Sequence, residues 1–288
     1  MNKEIDETTS TETTGHVWDG DIKELNTPLP KWWLYTFYAC VLWSIGFTIA
    51  YPAWPLINGY TKGIIGHSQR ADVAKQLEDA MKSQSKMWSL LKSTKIDKVA
   101  SNPELLRFAQ ASGAAAFGEN CSPCHGRGAQ GAKGYPNLND DDWLWGGTID
   151  DIETTIKYGI RSESDDTRDS DMPKFGIDGA LDKKQIGDVA EYVRSLSNLE
   201  HDAAAATRGG AIFKENCVAC HGEGGKGNQA LGAPNLADAV WLYGSEKEDI
   251  METVRTGRGG KMPTWEKRLD PLTIKALAVY VHGLGGGQ

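Results

Sequence analysis

Two short runs of cysteine and histidine have the residue types and the spacing to do chemistry. One is Cys121-Ser122-Pro123-Cys124-His125, and the other is Cys217-Val218-Ala219-Cys220-His221. The order Cys-x-x-Cys-His is the attachment signal for c-type haem. Each cysteine forms a thioether to a porphyrin vinyl group, and the histidine becomes the proximal ligand of the iron. We therefore expect two covalently bound haem c groups per chain, with His125 and His221 as the proximal ligands.

Two other readings of the cysteines fit less well. Zinc sites built from two Cys-x-x-Cys pairs usually separate the pairs by ~15–20 residues, whereas 92 residues lie between Cys124 and Cys217. A redox dithiol would leave the repeated histidine unexplained. The fifth cysteine, Cys40, lies in an apolar run, where a free cysteine behaves as a small hydrophobic residue.

The motifs belong to two copies of a longer pattern, predicted as domains over residues 102–199 and 200–288. Residues that match between the copies are Gly113 with Gly209, Phe117 with Phe213, Pro136 with Pro234, Trp143 with Trp241, Gly159 with Gly257, and Met172 with Met262. Both copies end in a pattern of apolar residues three and four apart, which predicts a closing helix. In each copy, an aspartate precedes that helix as its N-cap.

A methionine followed by proline occurs late in each copy, and we expect it to be the distal ligand. Met172 therefore completes the first haem, and Met262 completes the second. Methionine also fills core space, and that is the interpretation for Met251 within a helical pattern. Methionine opposite histidine raises the reduction potential. Because both axial positions are then filled, these haems carry electrons and do not perform bond chemistry.

An apolar segment precedes the copies. Residues 32–57 have the length of a bilayer-spanning helix and carry aromatic residues at both ends. We predict an acidic cytoplasmic tail over 1–31, a membrane anchor over 32–57, and a periplasmic linker over 58–101 with an amphipathic helix at 68–91. The linker carries eight Lys or Arg against three Lys in the tail, and by the positive-inside tendency this favours the opposite orientation. Long domains, however, translocate largely regardless of charge. Because the motif implies that haem c is attached outside the cytoplasmic membrane in bacteria, we place the haem motifs in the periplasm.

Acidic residues are concentrated in the first copy. Residues 102–199 hold seventeen acidic and ten basic side chains, against eleven and ten in residues 200–288. Five of the acidic residues lie in an inserted loop before Met172: Glu163, Asp165, Asp166, Asp169 and Asp171. Such a surface would steer a basic electron donor, although a merely soluble loop has the same composition. We expect no nucleic-acid partner for a chain of net charge −8.

Each copy resembles a class I cytochrome c: a helix ending in the haem motif, a proline loop, a distal methionine and a closing helix. In that family, the carbonyl of the loop proline accepts a hydrogen bond from the proximal histidine, which assigns this role to Pro136 and Pro234. Trp143 and Trp241 are expected to pack against the haems or their propionates, or simply to fill the core. The predicted fold is all-α, with one transmembrane helix followed by two tandem class I cytochrome c domains.

The whole chain resembles subunit III of cbb3-type cytochrome c oxidases, a dihaem family also called CcoP. The resemblance rests on the acidic tail, the entry Pro30-Lys31-Trp32-Trp33 into one helix, the linker and the two cytochrome copies. It implies a bacterial inner-membrane location and partners that comprise a donor cytochrome c, a monohaem cytochrome subunit and a catalytic subunit with haem b and copper. A supercomplex with a quinol-oxidising complex is a further implied partner. That oxidase reduces oxygen to water and conserves energy as a proton gradient.

Two other functions use the same haem chemistry. The chain could be a freestanding membrane-anchored electron carrier, or the cytochrome subunit of a periplasmic dehydrogenase. In all three functions, the chain is not catalytic alone.

Overall fold

The computed structural model describes residues 4–286, and the chain divides into two compact units at Ser83/Gln84. The first unit contains β1 (Thr13–Trp18), β2 (Ile22–Leu25), α1 (Lys31–Ala50), β3 (Pro55–Leu56), β4 (Gly59–Tyr60) and the start of α2 (Gln69–Ser93). The amphipathic helix predicted at 68–91 is thus present as α2. Within the predicted acidic tail, β1 and β2 pair as an antiparallel hairpin, a structure that the sequence analysis did not anticipate.

Helix α1 is the predicted anchor, but it is shorter than the segment assigned to it. It spans 20 residues, and at ~1.5 Å per residue it measures about 30 Å, the thickness of a bilayer core. It is the one helix of residues 4–286 that is long and apolar enough to cross a membrane. The predicted bound at residue 57 is wrong, because Pro52 forces Tyr51 into an extended conformation.

The end of α1 is capped by the chain that follows it. After the small β3–β4 hairpin, the backbone N–H groups of Ile64 and Ile65 donate to the carbonyls of Ile49 and Ala50, both at 3.1 Å. These bonds satisfy carbonyl groups that a helix end otherwise leaves without a partner.

The second unit is helical. It contains the rest of α2, then α3 (Pro103–Asn120), α4 (Ser122–His125), α5 (Ile149–Tyr158), α6 (Lys183–Leu196), α7 (Ala203–Asn216), α8 (Val218–His221), α9 (Lys247–Thr256) and α10 (Pro271–His282). The aspartates predicted as N-caps do cap α6 and α10: Asp182 accepts from the Gln185 N–H, and Asp270 from the N–H groups of Leu272 and Thr273. The mostly helical fold is therefore confirmed, with the two hairpins of the first unit as additions.

The closing helices are exchanged between the two sequence copies. Helix α10, from the end of the second copy, packs on α3 and α5 of the first. Helix α6, from the end of the first copy, packs on α7 and α9 of the second. The packed bodies therefore do not coincide with the predicted domains over residues 102–199 and 200–288.

A glycine marks the point of closest approach in each exchanged helix pair. A Cβ on Gly113 of α3 would lie 2.2 Å from the carbonyl oxygen of Ala276 in α10. A Cβ on Gly209 of α7 would lie 2.0 Å from the carbonyl oxygen of Asp188 in α6. The matching glycines of the two copies therefore admit the closing helix of the other copy.

Because of the exchange, one packed body is formed by a single continuous stretch of chain, and the other is formed by two separate stretches. The body around the second motif is built from residues 172–256, and its closing helix, α6, comes before the motif in the sequence. The body around the first motif combines residues 84–159 with residues 262–286. The second body is thus inserted into the first. The chain leaves and re-enters the first body at neighbouring positions, because Ile160 and Met262 form an isolated antiparallel bridge.

Candidate functional site

Both Cys-x-x-Cys-His motifs form one tight helical turn. In the first, the His125 N–H donates to the Cys121 carbonyl at 3.0 Å. In the second, the His221 N–H donates to the Cys217 carbonyl at 2.9 Å. Phe117 and Phe213, at the ends of α3 and α7, hold the first cysteine of each turn through the backbone, at 2.9 and 2.8 Å. Two thiols and one imidazole are therefore presented by a single turn at each site.

The proximal histidines are oriented by the proline carbonyls named in the sequence analysis. Nδ1 of His125 lies 3.0 Å from the Pro136 oxygen, and Nδ1 of His221 lies 3.1 Å from the Pro234 oxygen. With Nδ1–H donating to the carbonyl, Nε2 keeps its lone pair for a metal. Burial lowers the pKa of both imidazoles, and the proline hydrogen bonds oppose this lowering without cancelling it. Both histidines are thus favoured in the neutral form that binds a metal.

The first cysteine of each motif is well shielded. Burial, and to a smaller extent the neighbouring cysteine, raises the pKa of the Cys121 thiol to about 11. Burial and Cys220 do the same for Cys217, also to about 11. Thiols of this kind stay protonated at neutral pH, so they are poor sites for the thiolate chemistry of a redox dithiol.

The residues around the first motif include Met262 rather than Met172. Met262 packs on a core cluster that contains Phe117, Ile152 and Ile156, and Cys121 packs on the same cluster. Met172 packs instead on the cluster that contains Phe213 and Cys217. This packing differs from the pairing expected from the sequence, which was Met172 with the first motif and Met262 with the second. Each methionine lies shortly before an exchanged closing helix in the sequence, so it packs in the same body as that helix.

Both methionine loops are seated against a glycine of the opposite copy. A Cβ on Gly159 would lie 2.4 Å from the Met262 carbonyl oxygen, and one on Gly257 would lie 2.2 Å from that of Met172. Both glycines adopt positive φ, at 75° and 61°. Gly159 and Gly257 match in the sequence repeat, which makes the two seats equivalent.

Four residues that we expected near haem line one cavity of about 410 Å³. Pro136 and Trp143 come from the first copy, and Pro234 and Trp241 come from the second. Trp143 also packs on the first core cluster and donates its indole N–H to the Gly286 carbonyl, while Trp241 packs on the second cluster. Asp142, at the rim, has a raised pKa because of burial and the nearby Asp238 carboxylate.

Two arginines make matching contacts in the two bodies, and one of them, Arg168, was not singled out from the sequence. The Arg168 guanidinium lies over the Trp145 ring at 5.7 Å, and its Nε donates to Thr155 at 2.9 Å. In the second body, the Arg258 guanidinium lies over the Tyr243 ring at 4.6 Å, and its Nε donates to Thr253 at 2.8 Å. The ring and threonine positions match in the repeat, and each arginine lies four residues before a methionine, Met172 or Met262. The extra residues of the first copy therefore lie between Gly159 and Arg168.

The residues present at both sites fit a covalently attached haem. Each site combines a Cys-x-x-Cys-His turn, an imidazole with Nε2 free for iron, an apolar wall and one methionine. A bound haem would supply one-electron chemistry, and the chain's residues would hold it, orient the histidine and exclude water.

Comparisons with known proteins identify the family of this chain. A model described as the N-terminal domain of cytochrome oxidase-cbb3, FixP, matches residues 10–58. A second, described as cytochrome c oxidase, cbb3-type, subunit III, matches residues 108–193 and again 204–281. A cbb3-type cytochrome c oxidase subunit FixP from Bradyrhizobium sp. (strain ORS 278) is 54% identical over 291 residues, covering 100% of this chain and 99% of that protein.

A second relative carries the other name in use for this subunit. The cbb3-type cytochrome c oxidase subunit CcoP of Cereibacter sphaeroides is 53% identical over 277 residues, covering 96% of this chain and 95% of that protein. With two domain models matched in order and relatives similar along their whole length, this chain belongs to the FixP/CcoP family, subunit III of cbb3-type cytochrome c oxidases.

Proposed function

We propose that this chain is a membrane-anchored electron-transfer subunit that carries two haem c groups and passes electrons toward the haem b and copper subunit of its oxidase. The observation that carries the proposal is the pair of Cys-x-x-Cys-His turns, each with its histidine Nδ1 on a proline carbonyl and a methionine in the same packed body. A haem held by both a histidine and a methionine would have a high reduction potential and would carry electrons.

The ligand sets follow the exchanged packing. The haem on Cys121 and Cys124 takes His125 and Met262. The haem on Cys217 and Cys220 takes His221 and Met172. The placement of each methionine in a core cluster supports this assignment, and Pro136, Pro234, Trp143 and Trp241 form the surroundings of the two haems.

The proposed electron path runs from a donor cytochrome in the periplasm, through the two haems, to the monohaem and catalytic subunits. The chain crosses the inner membrane once through α1, with its N-terminus in the cytoplasm and both haems outside. The composition of α1 supports the span, and the attachment of haem c outside the cytoplasmic membrane supports the orientation. A supercomplex with a quinol-oxidising complex would shorten the path from the donor.

The haem count can be tested directly. Acid–acetone extraction should leave the haem on the polypeptide, and the pyridine haemochrome spectrum should give two haems per chain. Cys124→Ala should remove one haem, and Cys220→Ala the other. Extractable haem, or one haem per chain in the parent protein, would contradict the proposal.

Purification in mild detergent separates the proposed oxidase role from the other two. Haem b and copper in the same particle support the oxidase. A flavin or quinone-type cofactor would indicate the dehydrogenase subunit, and haem c alone would indicate the freestanding carrier. The whole-length similarity to oxidase subunits favours the first result.

A further inference from the structure

Arg161 lies where the chain crosses from one haem body to the other. The residue before it, Ile160, pairs with Met262 through two backbone hydrogen bonds, at 3.0 and 2.9 Å. The chain then continues into the inserted loop that leads to Met172. Arg161 is therefore adjacent to both methionine-bearing segments at once.

The Arg161 side chain joins those two segments. Its Nε donates to the Gly260 carbonyl at 2.8 Å, and its Nη1 donates to the Ser170 carbonyl at 2.6 Å. Gly260 lies two residues before Met262, and Ser170 lies two residues before Met172. The side chain is 18% exposed, and the nearest carboxylate, that of Asp171, is 3.9 Å from Nε.

Only an arginine can make this bridge. Its guanidinium presents several N–H donors in a fixed planar fork, whereas lysine offers a single ammonium on a flexible stem. The Arg161 backbone has φ of 49°, which is unfavourable for a side chain of this size. It is held in this conformation by a hydrogen bond from its own N–H to the Arg168 carbonyl, at 2.9 Å.

We propose that Arg161 is a positioning residue that holds the distal methionines of both haems in place through a single guanidinium. The inference rests on the proposed ligand assignment, in which Met262 and Met172 bind different irons. Iron–thioether bonds are neutral and weak, so they persist only where the loop keeps the sulfur on the metal. Hydrogen bonds from a charged donor are stronger than those between neutral groups, which suits them to this task.

The two methionines do not depend on Arg161 equally. Met262 is also fixed by its own backbone pair with Ile160. Within the described residues, Met172 makes no backbone hydrogen bond of its own, so Ser170 is the nearest point at which its loop is held on that side. Loss of the guanidinium should therefore release Met172 more readily than Met262.

The test follows the near-infrared methionine–iron band of the full-length ferric chain in detergent as the pH is raised. In a Met262→His background the remaining band reports Met172, and in a Met172→His background it reports Met262. Arg161→Gln should increase the equilibrium constant for loss of Met172 about tenfold, which lowers the midpoint by about one pH unit. The shift for Met262 should be smaller. Arg161→Lys should behave like Arg161→Gln, because it keeps the charge but not the two-point bridge.

Arg255→Lys is the matched control, since Arg255 makes an exposed ion pair with Glu252 and its midpoints should equal those of the parent. Haem content and far-ultraviolet circular dichroism establish that each variant is folded. Unchanged midpoints in Arg161→Gln, or parent-like midpoints in Arg161→Lys, would overturn the inference while the bands themselves remain. Absence of both bands from the parent chain would instead refute the ligand assignment of the proposed function.

Discussion

At the scale of single residues, the distal methionines offer the sharpest test, since each is proposed to serve the haem attached to the other copy. Met262→His should lower the reduction potential of the haem on Cys121 and Cys124, because imidazole replaces a thioether while the iron stays low-spin. A redox titration of this variant in a Cys220→Ala background follows that haem alone. If Met172→His shifts this potential and Met262→His does not, the exchanged assignment is wrong.

Gly159, against which the Met262 loop packs, should not tolerate a larger residue. Gly159→Ala combines a positive φ with a Cβ 2.4 Å from the Met262 carbonyl oxygen, so the loop must move and the Met262–iron band should weaken or disappear. Gly179→Ala is the control, since Gly179 has a similar φ of 72° and nothing within 4 Å of the added Cβ. Near-infrared spectra of the two variants separate contact from strain. Equal loss of the band in both would contradict the seating of Met262 on Gly159.

Several of these residues could be predicted from their spacing in the sequence. The attachment turns and the loop prolines lie within 13 residues of each histidine, and both His–Pro contacts are present in the structure. The partner of each methionine was not readable, because the repeat gives both copies the same pattern. The repeat therefore cannot distinguish a methionine that stays in its own copy from one that crosses. Arg161 was missed for a related reason, since its counterpart in the second copy is Gly259.

At the scale of helices, the exchanged packing depends on two close crossings. Gly113→Ala should push α10 away from α3, because the added Cβ would lie 2.2 Å from the Ala276 carbonyl oxygen. Overpacking of this kind costs about 1–3 kcal/mol, and thermal unfolding followed by circular dichroism should register it. Gly118→Ala, in the same helix with nothing within 4 Å of the added Cβ, should be neutral or stabilising. An equal change in the two variants would contradict the crossing point.

The bounds of the elements could be predicted in part. The proline at Pro52 indicated where α1 must stop, and the helix ends at Ala50. The first hairpin could have been found from Asp19-Gly20, a turn signal between two segments with apolar residues. Both residues adopt positive φ, at 52° and 90°. The acidic composition of this segment instead suggested a tail, since the overall charge concealed the turn.

At the scale of the whole molecule, electron entry is expected at the acidic inserted loop. Asp165, Asp166 and Asp169 are all exposed, so a basic donor cytochrome can approach them. Changing the three to Asn should slow donor oxidation at low salt. The effect should be small at high salt, because the Debye length is about 8 Å near physiological ionic strength and shorter above it. Stopped-flow measurements across a salt series provide the test, with the spectra of both haems as a check on ligation. Equal rates for variant and parent at low salt would exclude steering by this loop.

The surface beside Met262 is a poor docking site for an acidic donor. Arg258 is half-buried over Tyr243 and bonded to Thr253. The guanidinium is therefore held by contacts inside the protein, and Lys261 is the exposed cation beside Met262.

Fragments of the chain should reveal the nested packing. Residues 102–199 contain the first motif and α6, but they lack α10 and Met262, so we expect no methionine–iron band from this fragment. Residues 162–260 contain the second motif, Met172 and α6 in one continuous stretch, and they should retain one low-spin haem with that band. The spectra of the two fragments, expressed where haem c is attached, give the answer. A methionine-ligated haem in the first fragment would contradict the exchange.

The insertion of one body into the other also fixes an order of events during synthesis. Synthesis proceeds from the N-terminus, so Met172 and α6 are made before Cys217 and Cys220 of the second motif. For the first motif the order is reversed, because Cys121 and Cys124 emerge long before Met262 and α10, with the entire second body made in between. If Met262 serves the first haem, as proposed, that haem has no distal cover until residues 262–282 have been made. A chain that stops before Met262 would therefore leave the first haem open on that side, even though both attachment motifs are present.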